Sequence, residues 1–274
     1  MSARPYPPEG VRLKLARAHG HLQEVRGEID SFFKSHPFKI ALHRDESGLN
    51  YVLVGYLNHW LPEMVPTIIG DCLQNMRVAL DHLAWALAES TGEAPPPDTS
   101  FPIRSTSDAF HERNKAGKAT GRSGLKKIEA IPNEAQIIIE ELQPYHGDDP
   151  ELHPLWILNE YSSIDRHRTL SVMYALSDYT GFDVGTLDSS GNLVSLPKDM
   201  VTHLGLTSGA FYHGTELARF TLKEPVPDLR VKYDSPFYIA FGQRYISIGD
   251  PLKVLSKIHG HIEQTVLPWF AKFF

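Results

Sequence analysis

The sequence predicts a mainly α protein of the α+β type: a helical bundle with a short N-terminal β-hairpin and a β-rich insertion before the C-terminal helix. Two observations predict this class. Long segments such as 66–90 repeat apolar residues at helical spacing. The stretch 177–250 instead alternates turn residues with runs rich in β-forming residues. We expect residues 1–274 to form a single domain, with helices at about 8–35, 66–90, 124–176 and 251–274.

The N-terminal part predicts a helix and then a hairpin. Residues 8–35 carry apolar residues such as Val11 and Leu15 at helical spacing. Phe38–His43 and Tyr51–Tyr56 are rich in β-forming residues and flank a polar turn. They therefore predict a β-hairpin at about 38–56.

The clearest helical pattern runs from about Pro66 to Ser90, and Gly92 followed by prolines ends it. Its apolar residues recur with a period of three to four, so we expect them to lie in the core. They are Ile69, Cys72, Leu73, Met76, Leu80, Leu83 and Leu87.

The middle of the chain predicts shorter elements. A Pro-, Ser- and Gly-rich connection at 93–122 contains a short helix near Ser107–Asn114. A helix at Gly124–Leu142 is broken or kinked at Pro132. A second strong helix is expected at about Pro154–Leu176.

The C-terminal part predicts a small antiparallel sheet and a last helix at Pro251–Phe274. We expect the aromatic residues at the end of this helix, Trp269, Phe270, Phe273 and Phe274, to be buried against the N-terminal helices. The β-rich runs are Leu217–Leu222, Leu229–Tyr233, Phe237–Phe241 and Tyr245–Ile248.

Composition excludes several classes of protein. One Cys cannot form an internal disulfide or a Cys-based metal cluster. The 27 basic and 33 acidic residues give a net charge of −6, which argues against a general nucleic-acid coat. The chain has no stretch of about 20 apolar residues and no apolar signal segment. We therefore expect a cytoplasmic protein outside the membrane.

Two helices carry the candidate site residues. On the 66–90 helix, Arg77 and His82 bracket a second, partly apolar face that we expect to meet another helix or subunit. On the 154–176 helix, Arg168 is expected at the centre of an apolar stripe, with Asp165 and His167 beside it. A buried Arg needs an ion partner or a bound anion, so Asp81, Asp165 or a phosphate is expected to meet Arg168.

The segment from Arg77 to His82 has the form Arg-x4-His near the end of a bundle helix. In this it resembles the HEPN superfamily (higher eukaryote and prokaryote nucleotide-binding domains). The resemblance implies a helical bundle that is commonly dimeric, and many members are metal-independent ribonucleases. In the family a polar residue often follows the Arg. Here Val78 takes that position, and the polar residue is Asp81.

The resemblance implies a metal-independent endoribonuclease that needs no cofactor, with RNA or a nucleotide as its partner and a homodimer as its assembly. His82 would be the general acid or base acting at the RNA 2′-hydroxyl. Arg77 would stabilise the phosphorane-like transition state, and Asp81 would orient either residue. The candidate substrate-binding residues are Arg168, His167, Asp165 and Asn75.

Plainer interpretations remain open. Arg77 and Asp81 have the i, i+4 spacing of an ordinary surface ion pair. His82 can be a partly buried histidine with no catalytic role. Arg168 can belong to a buried ion pair that only stabilises the fold. A carboxylate–His metal site between the two helices is disfavoured, because Asp165 and His167 point in different directions. The alternative function is a non-catalytic helical module that binds a nucleotide or a partner. A cleft shared by Arg77, Asp81 and His82 would favour the enzyme.

The stretch 113–127 is the most basic part of the sequence. It is either a solvated loop or a surface that steers an RNA backbone. Its cations are Arg113, Lys115, Lys118, Arg122, Lys126 and Lys127.

Overall fold

The protein is an α+β protein and not the mainly α bundle that the sequence predicts. The computed structural model describes residues 6–170, 172–176, 181–234, 237–243, 246–247 and 249–274. Of the chain, 45% is helical and 23% is strand, and the strands form three antiparallel sheets. The predicted fold class is wrong because the β-hairpin and strands of the β-rich region form one four-stranded sheet, and the remaining strands form two more. Neither the hairpin nor the β-rich region is a separate addition to a helical bundle.

The chain forms two compact units. The helical unit comprises Met1–Gly27, Glu63–Leu170 and Pro251–Phe274, and the β unit comprises Glu28–Pro62 and Ser171–Asp250. The expectation of a single domain stays a prediction.

The helices agree with the sequence pattern over most of their length. The extended backbone at Pro132 separates two helices, as predicted. A π-helical turn, Ile262–Val266, interrupts the last helix. The α-helices are α1 Glu9–Lys34, α2 Met64–Glu89, α3 Ser107–Phe110, α4 Gly124–Lys127, α5 Asn133–Glu141, α6 Pro154–His167, α7 Pro251–His261 and α8 Leu267–Phe270.

Helix α2 lies at the centre of the helical unit, and its predicted apolar stripe is buried throughout. The Cys72 thiol lies 3.3 Å from the Ala18 carbonyl oxygen of α1. Gln74 Nε2 donates to the Ser162 carbonyl oxygen of α6 at 2.7 Å. Side-chain contacts thus join α2 to α1 and to α6 in addition to apolar packing.

The predicted helix 154–176 is wrong at its C-terminal end. Helix α6 stops at His167, Arg168 has an extended backbone (φ −165°, ψ 155°), and Val172–Leu176 forms a strand. Short apolar runs satisfy helical and strand spacing alike, which explains the error. Arg168 is exposed and does not occupy the centre of an apolar stripe.

The β unit connects the N-terminal hairpin to the later strands. The sheet orders are β1-β2-β8-β6, β11-β10-β3-β7 and β5-β4-β9. Most predicted runs form strands, although Tyr245 and Ile248 lie outside the described residues. The strands are β1 Phe38–Arg44, β2 Asn50–Leu57, β3 Val172–Leu176, β4 Gly181–Leu187, β5 Leu193–Ser195, β6 Val201–Leu206, β7 Gly209–Phe211, β8 Thr215–Leu222, β9 Arg230–Asp234, β10 Phe237–Gln243 and β11 Ile246–Ser247.

Aromatic pairs hold the hairpin to its distant partners. Tyr51 of β2 stacks on Phe220 of β8 with ring centroids 5.0 Å apart. Phe38 of β1 stacks on Phe237 of β10 at 4.1 Å. Both pairs join residues far apart in the sequence, so local patterns do not predict them.

The C-terminal aromatic residues are only partly buried. Phe270 is fully buried, as expected, whereas Trp269 is 45% exposed, which contradicts its expected burial. Phe274 is half-buried with its ring 5.4 Å from that of Tyr6.

A pair of histidines in the helical unit predicts acid sensitivity. The rings of His153 and His261 lie 5.0 Å apart, edge to face. His153 Nδ1 accepts the Leu155 N–H at the start of α6, so this cap needs an unprotonated ring nitrogen. Burial, His153 and Lys257 lower the pKa of His261 to about 4, and burial also lowers the pKa of His153.

We expect stability to fall as the pH drops from about 6.5 to about 4, because the unfolded chain binds these protons first. His153→Asn keeps a capping acceptor that does not titrate, so it should flatten this dependence. The difference should be about 1 kcal/mol, since the rings are partly exposed. Urea unfolding across this pH range measures it, with the exposed His203→Gln as control. An unchanged slope in His153→Asn would contradict the prediction.

Candidate functional site

A cleft of about 550 Å³ opens in the helical unit, between the start of α1 and the C-terminal half of α2. Asp81 and His82 line it together with Trp85, and all three project from α2. The remaining lining residues are Pro8, Glu9, Gly10, Ala86, Glu89 and Thr99.

His82 lies directly against the backbone of α1. A Cβ atom built on Gly10 would stand 2.4 Å from His82 Nδ1, so glycine is what allows the ring this position. The ring is half-buried and forms part of the cleft wall.

Asp81 and Arg77 together hold the loop that contains Phe101. Asp81 Oδ1 accepts from Arg77 Nη2 at 3.1 Å and from the Phe101 N–H at 3.0 Å. Arg77 Nη2 also donates to the Phe101 carbonyl oxygen at 2.6 Å. These three bonds form a closed ring that fixes the loop to α2.

Arg77 is not among the residues that line the cleft, although its Nη2 contacts Asp81, which is. The Arg77 side chain is 15% exposed, and Nη1 is buried without a hydrogen-bond partner among the described residues. Burial lowers the pKa of Arg77 against the opposing effect of Asp81, and burial likewise raises the pKa of Asp81 against that of Arg77. Arg77 is therefore engaged in structure, and of the predicted catalytic residues only Asp81 and His82 reach the cleft.

Trp85 provides an accessible aromatic surface in the cleft. Trp85 is 37% exposed, and its Nε1–H donates to Glu89 Oε1 at 2.9 Å. Glu9, Asp81 and Glu89 add carboxylates, and neither Lys nor Arg is among the described residues that line the cleft. The cleft therefore combines an indole with net negative charge.

The predicted substrate-binding residues lie elsewhere. Asp165 Oδ2 accepts from Gln74 Nε2 at 3.2 Å, and Asn75 Nδ2 donates to the Asp71 carbonyl oxygen within α2. His167 and Arg168 are exposed at the end of α6. None of the four is among the residues that line the cleft.

Asp165 also sets how closely α6 approaches α2. A Cβ on Gly70 would stand 2.0 Å from Asp165 Oδ1, so these helices approach where α2 carries no side chain. Asp165 therefore acts in helix packing in this fold.

The sequence did not predict that Glu9, Glu89 and Thr99 line the cleft. The i, i+4 spacing of Trp85 and Glu89 was a usable signal, since it places both on one face of α2. Glu9 and Thr99 reach the cleft only through the packing of α1 and the 98–104 loop, which no local pattern encodes.

The described residues lack the features of a metal centre and of a membrane span. They hold no group of three or more His, Cys, Asp or Glu side chains placed to bind a metal ion. Of the helices in the described part of the chain, none combines the length and apolar character that a membrane span requires.

Comparison with protein families, with curated proteins and with solved structures found no match to this chain. The class of the protein therefore rests on its own fold, and the resemblance to the HEPN superfamily stays a prediction.

Gly10 offers a direct test of the cleft geometry. We expect Gly10→Ala to displace the His82 ring and weaken ligand binding in the cleft several-fold, because the new methyl group occupies the ring position. Gly20→Ala and Gly27→Ala are matched controls on the same helix, since no described atom lies within 4 Å of either added Cβ.

The controls should raise the free energy of unfolding by up to about 1 kcal/mol through helix propensity and leave binding unchanged. Thermal unfolding and ligand titration measure both effects. Equal binding by all three variants would contradict the assigned position of His82.

Proposed function

We propose that the helical unit is a binding module whose cleft takes a small organic cation, such as a primary or quaternary amine. The observation that carries this proposal is the exposed Trp85 ring in a cleft lined by Glu9, Asp81 and Glu89 and by no described cation.

The chemistry of the cleft supports a cationic ligand. An indole face attracts an ammonium or guanidinium group, and carboxylates around it add long-range attraction. Asp81 is already paired with Arg77, so Glu9 and Glu89 supply most of the uncompensated charge. The volume of about 550 Å³ lies within the range of small-molecule sites.

The same charges disfavour a nucleotide in this cleft. Its phosphates would approach Glu9, Asp81 and Glu89, and Arg77 does not line the cleft, because its Nη2 is bonded to Asp81 and to the Phe101 carbonyl oxygen. We therefore infer a non-catalytic module that binds a cation and not a nucleotide.

Isothermal titration calorimetry with choline, spermidine and AMP tests the proposal. We expect saturable binding of at least one cation, weakened in Glu89→Gln and at high salt, and no binding of AMP. Glu263→Gln, a carboxylate of the same unit outside the cleft, is the control. Tight AMP binding, or the absence of binding by both choline and spermidine, would refute the cation site.

A second function is a metal-independent ribonuclease, and one observation favours it. His82 and Asp81 share the wall of one open cleft, which suits a general acid or base and its neighbour. Labelled RNA is incubated with the protein in EDTA, comparing wild type, His82→Ala and the exposed His43→Ala. Cleavage lost only in His82→Ala would support this function, and no cleavage by the wild type would exclude it for the RNAs tried.

We further propose a cytoplasmic location, supported by the single Cys, which is buried and free. Fractionation of cells that express the full chain tests it.

A further inference from the structure

The basic stretch contains an ordered turn. Arg113 forms a β-bridge with Ala119, and Asn114 Oδ1 accepts from the N–H groups of Ala116 and Lys118. Gly117 closes the turn with φ of 75°, a conformation that favours glycine. The tip of this loop, residues 114–118, is therefore a defined structure.

Four cations on this loop have no carboxylate partner among the described residues. They differ from their neighbours Lys126 and Lys127, which pair with Glu129 and Asp98. All four are exposed, and two stand at the tip. They are Arg113, Lys115, Lys118 and Arg122. We call residues 113–122 the basic loop.

The basic loop and the cleft are complementary in charge. Both belong to the helical unit of a chain whose net charge is −6. Of the ion pairs formed by described residues, none joins a carboxylate of the cleft to a cation of this loop. One molecule thus presents an acidic aromatic cleft together with an ordered basic loop of opposite charge.

We propose that a second copy of this chain inserts Lys115 or Lys118 of its basic loop into the cleft, over Trp85 and between Glu9 and Glu89. This inference rests on the proposed cation site and names its partner. A lysine ammonium on a flexible stem reaches an indole face and carboxylates at once. The partner copy thereby completes the site with a residue that the cleft itself lacks.

The association should be weak and sensitive to salt. A loop tip in a cleft buries much less surface than the roughly 1,600 Å² of a stable complex. The attraction comes mainly from exposed charges, which salt screens. We therefore expect reversible self-association at high protein concentration and about 50 mM salt, and its loss at about 500 mM.

Charge reversal with sedimentation velocity tests the proposal. Lys115→Glu/Lys118→Glu reverses the loop tip, and Glu9→Lys/Glu89→Lys reverses the cleft. Each variant alone should sediment as a monomer, and an equimolar mixture should associate again, because each then finds an opposite charge. Lys34→Glu/Lys39→Glu, which makes the same change in net charge at exposed sites elsewhere, should associate as the wild type does. Circular dichroism verifies that each variant is folded.

The outcomes separate this inference from the cation site. A wild type that stays monomeric but binds choline or spermidine overturns the inference and leaves the cation site standing. Association that survives loop reversal, or variants that do not associate when mixed, also overturns it. Absence of both cation binding and association refutes the two together.

Discussion

Replacing Arg77 with Ala is expected to lower the free energy of unfolding of the helical unit by about 2–4 kcal/mol. The substitution removes both Nη2 hydrogen bonds, leaves the Phe101 carbonyl oxygen without its donor and leaves Asp81 without its cation. Removal of one member of a buried pair costs more than the pair contributes, because the remaining group stays desolvated. Asp81 is 32% exposed, which places the effect below that of a fully buried pair.

Urea unfolding followed by circular dichroism measures this loss. Arg17→Ala is the matched control, since it removes the same charge from an exposed position of the same unit and should change stability by less than about 0.5 kcal/mol. An Arg77→Ala protein as stable as the wild type, but unable to bind or turn over a ligand, would show that Arg77 belongs to the site and not to the scaffold.

Replacing Trp85 with Ala is expected to weaken cation binding by about tenfold or more. The ring supplies the aromatic surface of the cleft, and a cation–π contact in a partly desolvated site contributes about 1–2 kcal/mol. Trp85→Phe retains an aromatic face and should lose only part of this affinity. Because the ring is 37% exposed, neither change should greatly affect folding.

Trp269→Ala serves as the control for this series, because Trp269 is 45% exposed in the same unit and does not line the cleft. Calorimetric titration with the cation bound by the wild type measures the differences. Equal affinity of wild type and Trp85→Ala would place the ligand away from the indole.

Local sequence patterns predicted most helices and strands. They failed where contacts between residues distant in sequence determine the secondary structure. The apolar stripe of α2 was predicted correctly, because a helix of 26 residues repeats the three-to-four-residue spacing of apolar side chains many times. After the end of α6, the apolar run at Val172–Leu176 is too short to distinguish a helix from a strand by its spacing. This segment forms strand β3 because it pairs with β10. The fold class failed for the same reason, since pairing of β2 with β8 joins segments remote in sequence.

The site was predicted in part. Helical spacing correctly placed Arg77, Asp81 and His82 near one another on α2. It could not show that Arg77 turns toward the Phe101 loop, because that depends on a connection with no regular period. Nor could it bring Glu9 to the cleft, since this requires the packing of α1 against α2.

An NMR titration that follows the indole Nε1–H resonance of Trp85 shows whether the cleft beside this ring binds an organic cation. The resonance is assigned with Trp85→Phe, and its donation to Glu89 makes it sensitive to a cation arriving there. We expect a saturable shift of this resonance with choline or spermidine and no shift of the Trp269 resonance. A Trp85 resonance unmoved at saturating concentrations of both cations would contradict the cation site.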